Sequence, residues 1–278
     1  MADKSHEGLK WAMRTGYGAR GLIYVVVGGI AFWAALQSGQ AQGTKSALAS
    51  LRDEPFGMFL LWVIGLGLFG YLIWRVICGS MDLEDHGTDA KGIVARIGQV
   101  TTGLIHGAIG VTVISMAMGG SSGGEGGGGG GAESMTARVL QMEGGRWIVT
   151  IGGLILLGAG VYYAYKGWSG KYREHLQANS FTTEADKVLK GGLVIYGILL
   201  GITAFSIIYA GWTANPDQAG GLGEALRSVR EMTGGRILLG IAGLGLLAFA
   251  LYNFVEAMYR VVPKVTGTDM TTLAKKLA

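Results

Sequence analysis

The feature that most constrains this chain is a set of six apolar blocks, at roughly 18–36, 56–78, 97–118, 147–166, 189–211 and 236–259. Each has the length of about 20 residues that a helix needs to cross the hydrocarbon core of a bilayer. In lipid, every backbone N–H and C=O must find its partner within the protein, which leaves helices or closed barrels. A barrel strand would show about ten residues of strict alternation, and the second block, "FGMFLLWVIGLGLFGYLIWRVIC", shows none. Only 15% of the residues are charged, against about 25% in a soluble domain, and the mean hydropathy is +0.39. The expected fold is all-α, a polytopic membrane protein with six transmembrane helices.

The first block follows a polar lead and exceeds the usual apolar core of a secretory signal, so it reads as a retained span. Sixteen lysines and arginines fall on the N-terminal side of the six blocks and seven on the other. By the positive-inside rule both termini are expected in the cytoplasm. That imbalance also accounts for the pI near 9.1, so no nucleic-acid partner is expected.

The blocks repeat. "RTGYGARGLIYVVVGG" from Arg14 aligns with "RIGQVTTGLIHGAIGV" from Arg96, placing Gly16 on Gly98, Gly21 on Gly103 and Gly28 on Gly110. "GGLVIYGILLG" from Gly191 is a weaker third copy. Among the even-numbered blocks, "MEGGRWIVTIGGLILLGAGVYY" matches "MTGGRILLGIAGLGLLAFALYN", and in the first copy Gly57, Gly65, Gly70 and Trp74 take the places of Gly145, Gly153, Gly158 and Tyr162. The unit is a two-helix hairpin used three times: residues 14–80, 96–168 and 186–260, flanked by cytoplasmic segments 1–13 and 261–278. Each copy starts and ends on the same side, so the repeats are parallel and related by a pseudo-threefold axis along the membrane normal. Before each even block a short amphiphilic stretch ("SALASLRDE", "MTARVLQME", "EALRSVREM") reads as one or two helical turns on the outer surface.

These hairpins, with entries such as "GYGARGLIY" and starts such as "GGRILLGIAGLGLLAF", resemble the bacterial membrane family labelled domain of unknown function 1206 (DUF1206). The resemblance spans roughly residues 14–260. It implies a bacterial inner-membrane protein of three two-helix repeats, and it brings no activity, substrate or catalytic residue. The middle copy departs by placing His106 where the others have Tyr24 and Tyr196.

His106 lies about nine residues into its helix, roughly 14 Å deep, where an ionisable group is a functional candidate by default. If the threefold axis gathers Tyr24, His106 and Tyr196, they form a central polar cluster. The favoured reading is packing, with a neutral imidazole bonded to a tyrosine hydroxyl or to backbone; proton or ion passage and metal ligation rank below it. Its tyrosine counterparts make a symmetric metal site implausible, and no metal or cofactor is expected.

Gly103 with Gly107, and Gly197 with Gly201, are spaced for close helix packing. Glu256 and Arg260 have the spacing of a helix ion pair, read as an interfacial anchor. The loop "MDLEDHGTDAKG" at 81–92 reads as solvated, balancing Arg75, Lys91 and Arg96 rather than holding a cation. The run "GGSSGGEGGGGGGAES" at 119–134 lacks the Gly-Lys-Ser/Thr ending of a phosphate loop and reads as a flexible linker. Cys78 is the single cysteine, so no intrachain disulfide forms. No nucleophile–base pair or carboxylate dyad lies in the apolar blocks, so no enzymatic activity is expected. The expectation is a non-catalytic structural or accessory subunit that packs with a membrane-protein complex; the alternative is a small channel or transporter along the threefold axis past Tyr24, His106 and Tyr196. Lipid is the one certain partner, and oligomeric state is not encoded in these patterns.

Overall fold

The computed structural model describes residues 2–37, 44–119, 130–262 and 271–277; most of the glycine-rich run, 120–129, lies outside the described residues. Helices α1 (Ala2–Gln37), α3 (Gly57–Met81), α4 (Ala90–Ala117), α6 (Gly145–Trp168), α7 (Ser180–Thr213) and α9 (Gly235–Tyr259) are the six long apolar elements, each able to cross a membrane by length and composition. The amphiphilic stretches form short helices α2 (Thr44–Leu51), α5 (Gly130–Leu140) and α8 (Leu222–Glu231), and α10 (Leu273–Leu277) follows the last span. Six alternating crossings put the start of α1 and the end of α9 on one face, here called the terminal face.

The doubled glycine before the second and third even-numbered spans now has a cause. Gly144 and Gly234 cap α6 and α9 with φ of 73° and 74°, the left-handed region that glycine enters without strain. The next residue, Gly145 or Gly235, sits so close to the backbone carbonyl of Val139 or Arg230 that a Cβ would collide with it. Gly57 is pressed in the same way against Leu51, but there the left-handed position is held by Phe56, with φ 63°. The arginine of the Gly-Gly-Arg start reaches sideways to a neighbouring helix end. Arg236 Nε donates to the Ala35 carbonyl of α1 (2.6 Å) and Arg146 Nη2 to the Trp212 carbonyl of α7 (3.1 Å), satisfying C-terminal carbonyls left open by the helix.

Packing follows the threefold repeat between hairpins and departs from it within one of them. The tightest pairs are α3 with α4, α6 with α7, and α9 with α1, three equivalent contacts. Within hairpins, α1 packs on α3 and α7 on α9, whereas α4 and α6 are not packed face to face. The six helices therefore form an arc in the order α4, α3, α1, α9, α7, α6, with an open edge where the middle hairpin should close. In the first hairpin a Cβ on Gly16 would strike the Tyr71 backbone, and one on Gly70 would strike Thr15. Their counterparts in the middle hairpin, Gly98 and Gly158, have no heavy atom within 4 Å of the corresponding position among the described residues.

The buried core falls into two clusters, a large one and a smaller one around Tyr17, Tyr71 and Trp74. Away from the terminal face it is apolar: Val27 and Ala31 of α1, Leu61, Ile64 and Leu68 of α3, Val113 of α4, Leu199 of α7 and Leu239 and Leu246 of α9 are all buried. Burial of such side chains is favourable by roughly 1.5–3 kcal/mol each when measured against water, but in lipid it is close packing rather than water exclusion that holds them.

Candidate functional site

Toward the terminal face the core changes character and becomes a buried polar network. Glu256, fully buried on α9, takes bonds from Arg260 Nη1 one turn later and from the Tyr252 hydroxyl one turn earlier. Lys166 Nζ on α6 donates to that tyrosine oxygen (2.9 Å). Arg260, itself buried, continues to Glu84 in the α3–α4 loop, with Nη2 at 2.6 Å and Nε at 3.2 Å from Oε1. The other Glu84 oxygen accepts from Gln99 Nε2 of α4 (2.8 Å) and lies 3.5 Å from His86 Nε2. One chain of contacts thus runs from α6 through α9 to α4, across the side of the molecule that the middle hairpin leaves open.

The network's charges balance. Arg260 and Lys166 stand against Glu84 and Glu256, which is the condition for keeping ions out of water. Burial works against the charge on Glu84, yet Arg260, the bonded His86 and the more distant Arg75 hold its carboxyl well below the usual carboxylate range. For Arg260 burial likewise opposes charge, and Glu256 and Glu84 outweigh it, so the guanidinium stays protonated. His175, half-buried beside the same group, is pushed down to about 4 by burial and then by Arg260. A second pair braces the loop between α6 and α7: Arg173 holds Asp186 through two bonds of 2.7 and 2.6 Å, and the Tyr172 hydroxyl donates to the same carboxylate at 2.6 Å.

One layer deeper lies a different arrangement. The Arg20 guanidinium, 2% exposed, donates through Nη1 to the Tyr71 hydroxyl (2.8 Å), and Arg75 Nε donates to that same oxygen (2.9 Å). Arg20 sits 4.9 Å from the centre of the Tyr71 ring and 5.8 Å from that of Phe249, so both ring faces share its charge. Among the described residues its Nε and Nη2 have no hydrogen-bond partner.

The expected central cluster is thereby split. Tyr24 and Tyr196 do meet: the Tyr24 hydroxyl donates to that of Tyr196 (3.0 Å), and Phe249 stacks on Tyr196 at 3.8 Å between centroids. His106 is not with them. It packs on Tyr71 (4.9 Å) with Nδ1 at 2.8 Å from the Thr102 carbonyl of its own helix. The reason is the open edge: α4 packs on α3 and not closely on α6, so His106 faces Tyr71, and Arg20 occupies the ground between the two groups.

Other expected sites fall as follows. Gly103 and Gly107 of α4 meet Arg75 and Leu72 of α3 at distances that admit no side chain, and Gly197 of α7 meets Ala164 and Gly160 of α6 in the same way. Gly201 has open space where its own Cβ would be, though its backbone lies against Gly160. Glu256 and Arg260 form the helix pair their spacing foretells, but inside the bundle rather than as an interfacial anchor, because Glu84 folds in from the loop to meet them. The 81–92 loop is accordingly not simply solvated. Asp82 caps it through the His86 and Gly87 N–H groups, and Asp89 caps α4 through Gly92. Among the described residues no group of three acidic, histidine or cysteine side chains is placed to hold a metal.

Arg20 escapes a reading that counts it among the positive charges flanking the first span. A signal was available: it lies four residues before Tyr24 and three after Tyr17, on the face those buried tyrosines share. The network likewise has a repeat signature, since the register that sets Tyr162 on Tyr252 also sets Lys166 on Glu256, and in the first copy Cys78 at the same position.

Comparison with known proteins agrees with the architecture. The family model described as "Domain of Unknown Function (DUF1206)" matches three times, at residues 15–82, 97–170 and 191–260. The chain belongs to this family. A Bacillus subtilis (strain 168) protein named "Uncharacterized protein YxxB" is 27% identical over 251 residues, which is 89% of this chain and 90% of that one. No solved structure matches. This DUF1206 protein is thus a multi-pass membrane protein with three internal repeats, and its buried terminal-face network is the chemistry peculiar to its interior.

Proposed function

We propose that this DUF1206 protein is a non-catalytic subunit of the bacterial inner membrane, with both termini cytoplasmic, whose open middle hairpin receives a transmembrane helix of another protein. The observation that carries the reading is the pair Gly98 and Gly158. Their counterparts Gly16 and Gly70 admit a helix at backbone contact, whereas these two meet nothing within 4 Å among the described residues. Exposed small residues on α4 and α6 suit a helix with a small or aliphatic face, because such positions permit the close approach that stands in for hydrophobic drive in lipid. The close apolar packing of Val27, Ile64, Leu68 and Leu246 supports a holding role over conduction along the axis.

The test places a photo-crosslinking residue at Gly98, at Gly158 or at Ile237, a lipid-facing control, and irradiates native membranes. The same membrane protein captured from both glycine positions and not from Ile237 supports the proposal. Capture of a second copy of this chain makes the subunit a homo-oligomer, and crosslinks to lipid alone at both positions overturn the reading.

A further inference from the structure

We infer that Arg20 and Arg75 form a binding site for an oxyanion, a phosphate or carboxylate group held inside the bundle. Three observations converge. First, the charges of the neighbouring network cancel, and among the described residues neither Arg20 nor Arg75 has a carboxylate within ion-pair distance. Arg20, fully buried, is therefore held inside a membrane-spanning bundle without a directly paired carboxylate, with the half-buried Arg75 beside it, a placement that is costly and marks ligand sites. Second, both guanidinium groups aim an N–H at one neutral oxygen, the Tyr71 hydroxyl, at 2.8 and 2.9 Å. A phenol with two cationic donors on it marks a place where an anionic oxygen is better accommodated. Third, the unpartnered atoms of Arg20 are Nε and Nη2. These share one edge of the guanidinium, the edge that offers two parallel N–H bonds to two oxygens of a carboxylate or phosphate.

Arg20 is enclosed, 2% exposed, so an anion reaches it where the side chains around it part. His106 of α4 packs on the Tyr71 ring from one side, and Tyr163 of α6 lies beside Tyr196 on the other (5.0 Å between centroids). The guanidinium thus stands between side chains contributed by the two helices of the open edge. The oxyanion can arrive from the bilayer as a lipid head group or from water as a free anion; the recognition chemistry is the same.

Two arms separate these sources. Protein in neutral detergent is titrated with inorganic phosphate by calorimetry, and protein released from nanodiscs of phosphatidylglycerol or of phosphatidylcholine is weighed by native mass spectrometry. One saturable phosphate per chain identifies a free anion; one retained phosphatidylglycerol per chain, without retained phosphatidylcholine, identifies a head group. In whichever arm binds, Arg20→Gln is expected to weaken binding at least tenfold. Arg20→Lys, which keeps the charge without the two-pronged edge, is expected to weaken it severalfold, and Tyr71→Phe to leave it intact. Absence of a stoichiometric anion in both arms for the folded wild-type protein overturns the inference, as does a folded Arg20→Gln that binds like wild type. Should Arg20→Gln not fold, Arg75→Gln and the wild-type arms decide in its place.

Discussion

The first and middle hairpins carry the same glycines and put them to different use. In the first, Gly16 and Gly70 bring α1 and α3 to backbone contact; in the middle one, Gly98 and Gly158 stand clear on helices that do not meet. The difference teaches that a small-residue stripe encodes a capacity for close approach and leaves the occupant to be supplied by the rest of the fold. In this molecule α4 is claimed by α3 and α6 by α7, and the two edges are joined instead at the terminal face by the Lys166–Tyr252–Glu256–Arg260–Glu84–Gln99 chain.

Substitution at the paired glycines breaks the comparison most directly. Gly16→Leu drives a side chain into the Tyr71 backbone and is expected to abolish folding, read as loss of the monodisperse peak in mild detergent. Gly98→Leu is expected to change the thermal stability of the purified protein by no more than about 0.5 kcal/mol, as at other sites without contacts. Next in size is Glu256→Gln, which leaves Arg260 and Lys166 short of a counter-charge. A loss of about 3–5 kcal/mol is expected, as for other buried pairs broken on one side, together with a wider spacing of α4 and α6 in spin-label distance measurements.

Acid should act on the same joint more gently. Glu84 titrates below the ordinary carboxylate range, so the stability it contributes is present above about pH 4.5 and is lost as the pH falls through its lower folded value. His175, held at about 4 against an ordinary value of about 6.5, remains neutral in the fold while the unfolded chain takes up a proton, so its contribution also drains away between those two values. Melting temperature is therefore expected to fall steadily from pH 7 to 4, and His175→Asn to flatten the upper part of that slope. The smallest expected effect is a gain. Phe56 holds the left-handed position that Gly144 and Gly234 fill in the other copies, so Phe56→Gly should stabilise by about 1 kcal/mol, measured by thermal denaturation.

Much of this fold is written in patterns with short range. Six apolar blocks, a repeated Gly-Gly-Arg start and amphiphilic turns before the even spans specify six helices, three repeats and the surface helices, because each depends on residues close in sequence. Placement of His106 depends on which helix α4 leans against, and that choice is made by contacts between hairpins that no periodicity records. Glu84 has the same history: in sequence it belongs to an acidic loop, and only the fold brings Arg260, 176 residues away, to its carboxylate. Arg20 reads from the sequence as one more charge flanking the first span, because its burial follows from the turn of its face toward Tyr71 and Phe249 rather than from its place near the start of an apolar run.

The open middle hairpin is the centre of this account, and an oxidation experiment reaches it with least inference. The variant carrying Gly98→Cys and Gly158→Cys, purified into lipid nanodiscs and treated with a mild oxidant, reports whether those positions come within the roughly 7 Å Cα separation that a disulfide requires; Cys78, fully buried, stays out of reach. The account predicts that both thiols remain free and label in full. Quantitative formation of an intramolecular 98–158 disulfide would contradict it, showing that the middle hairpin closes on itself as the first one does.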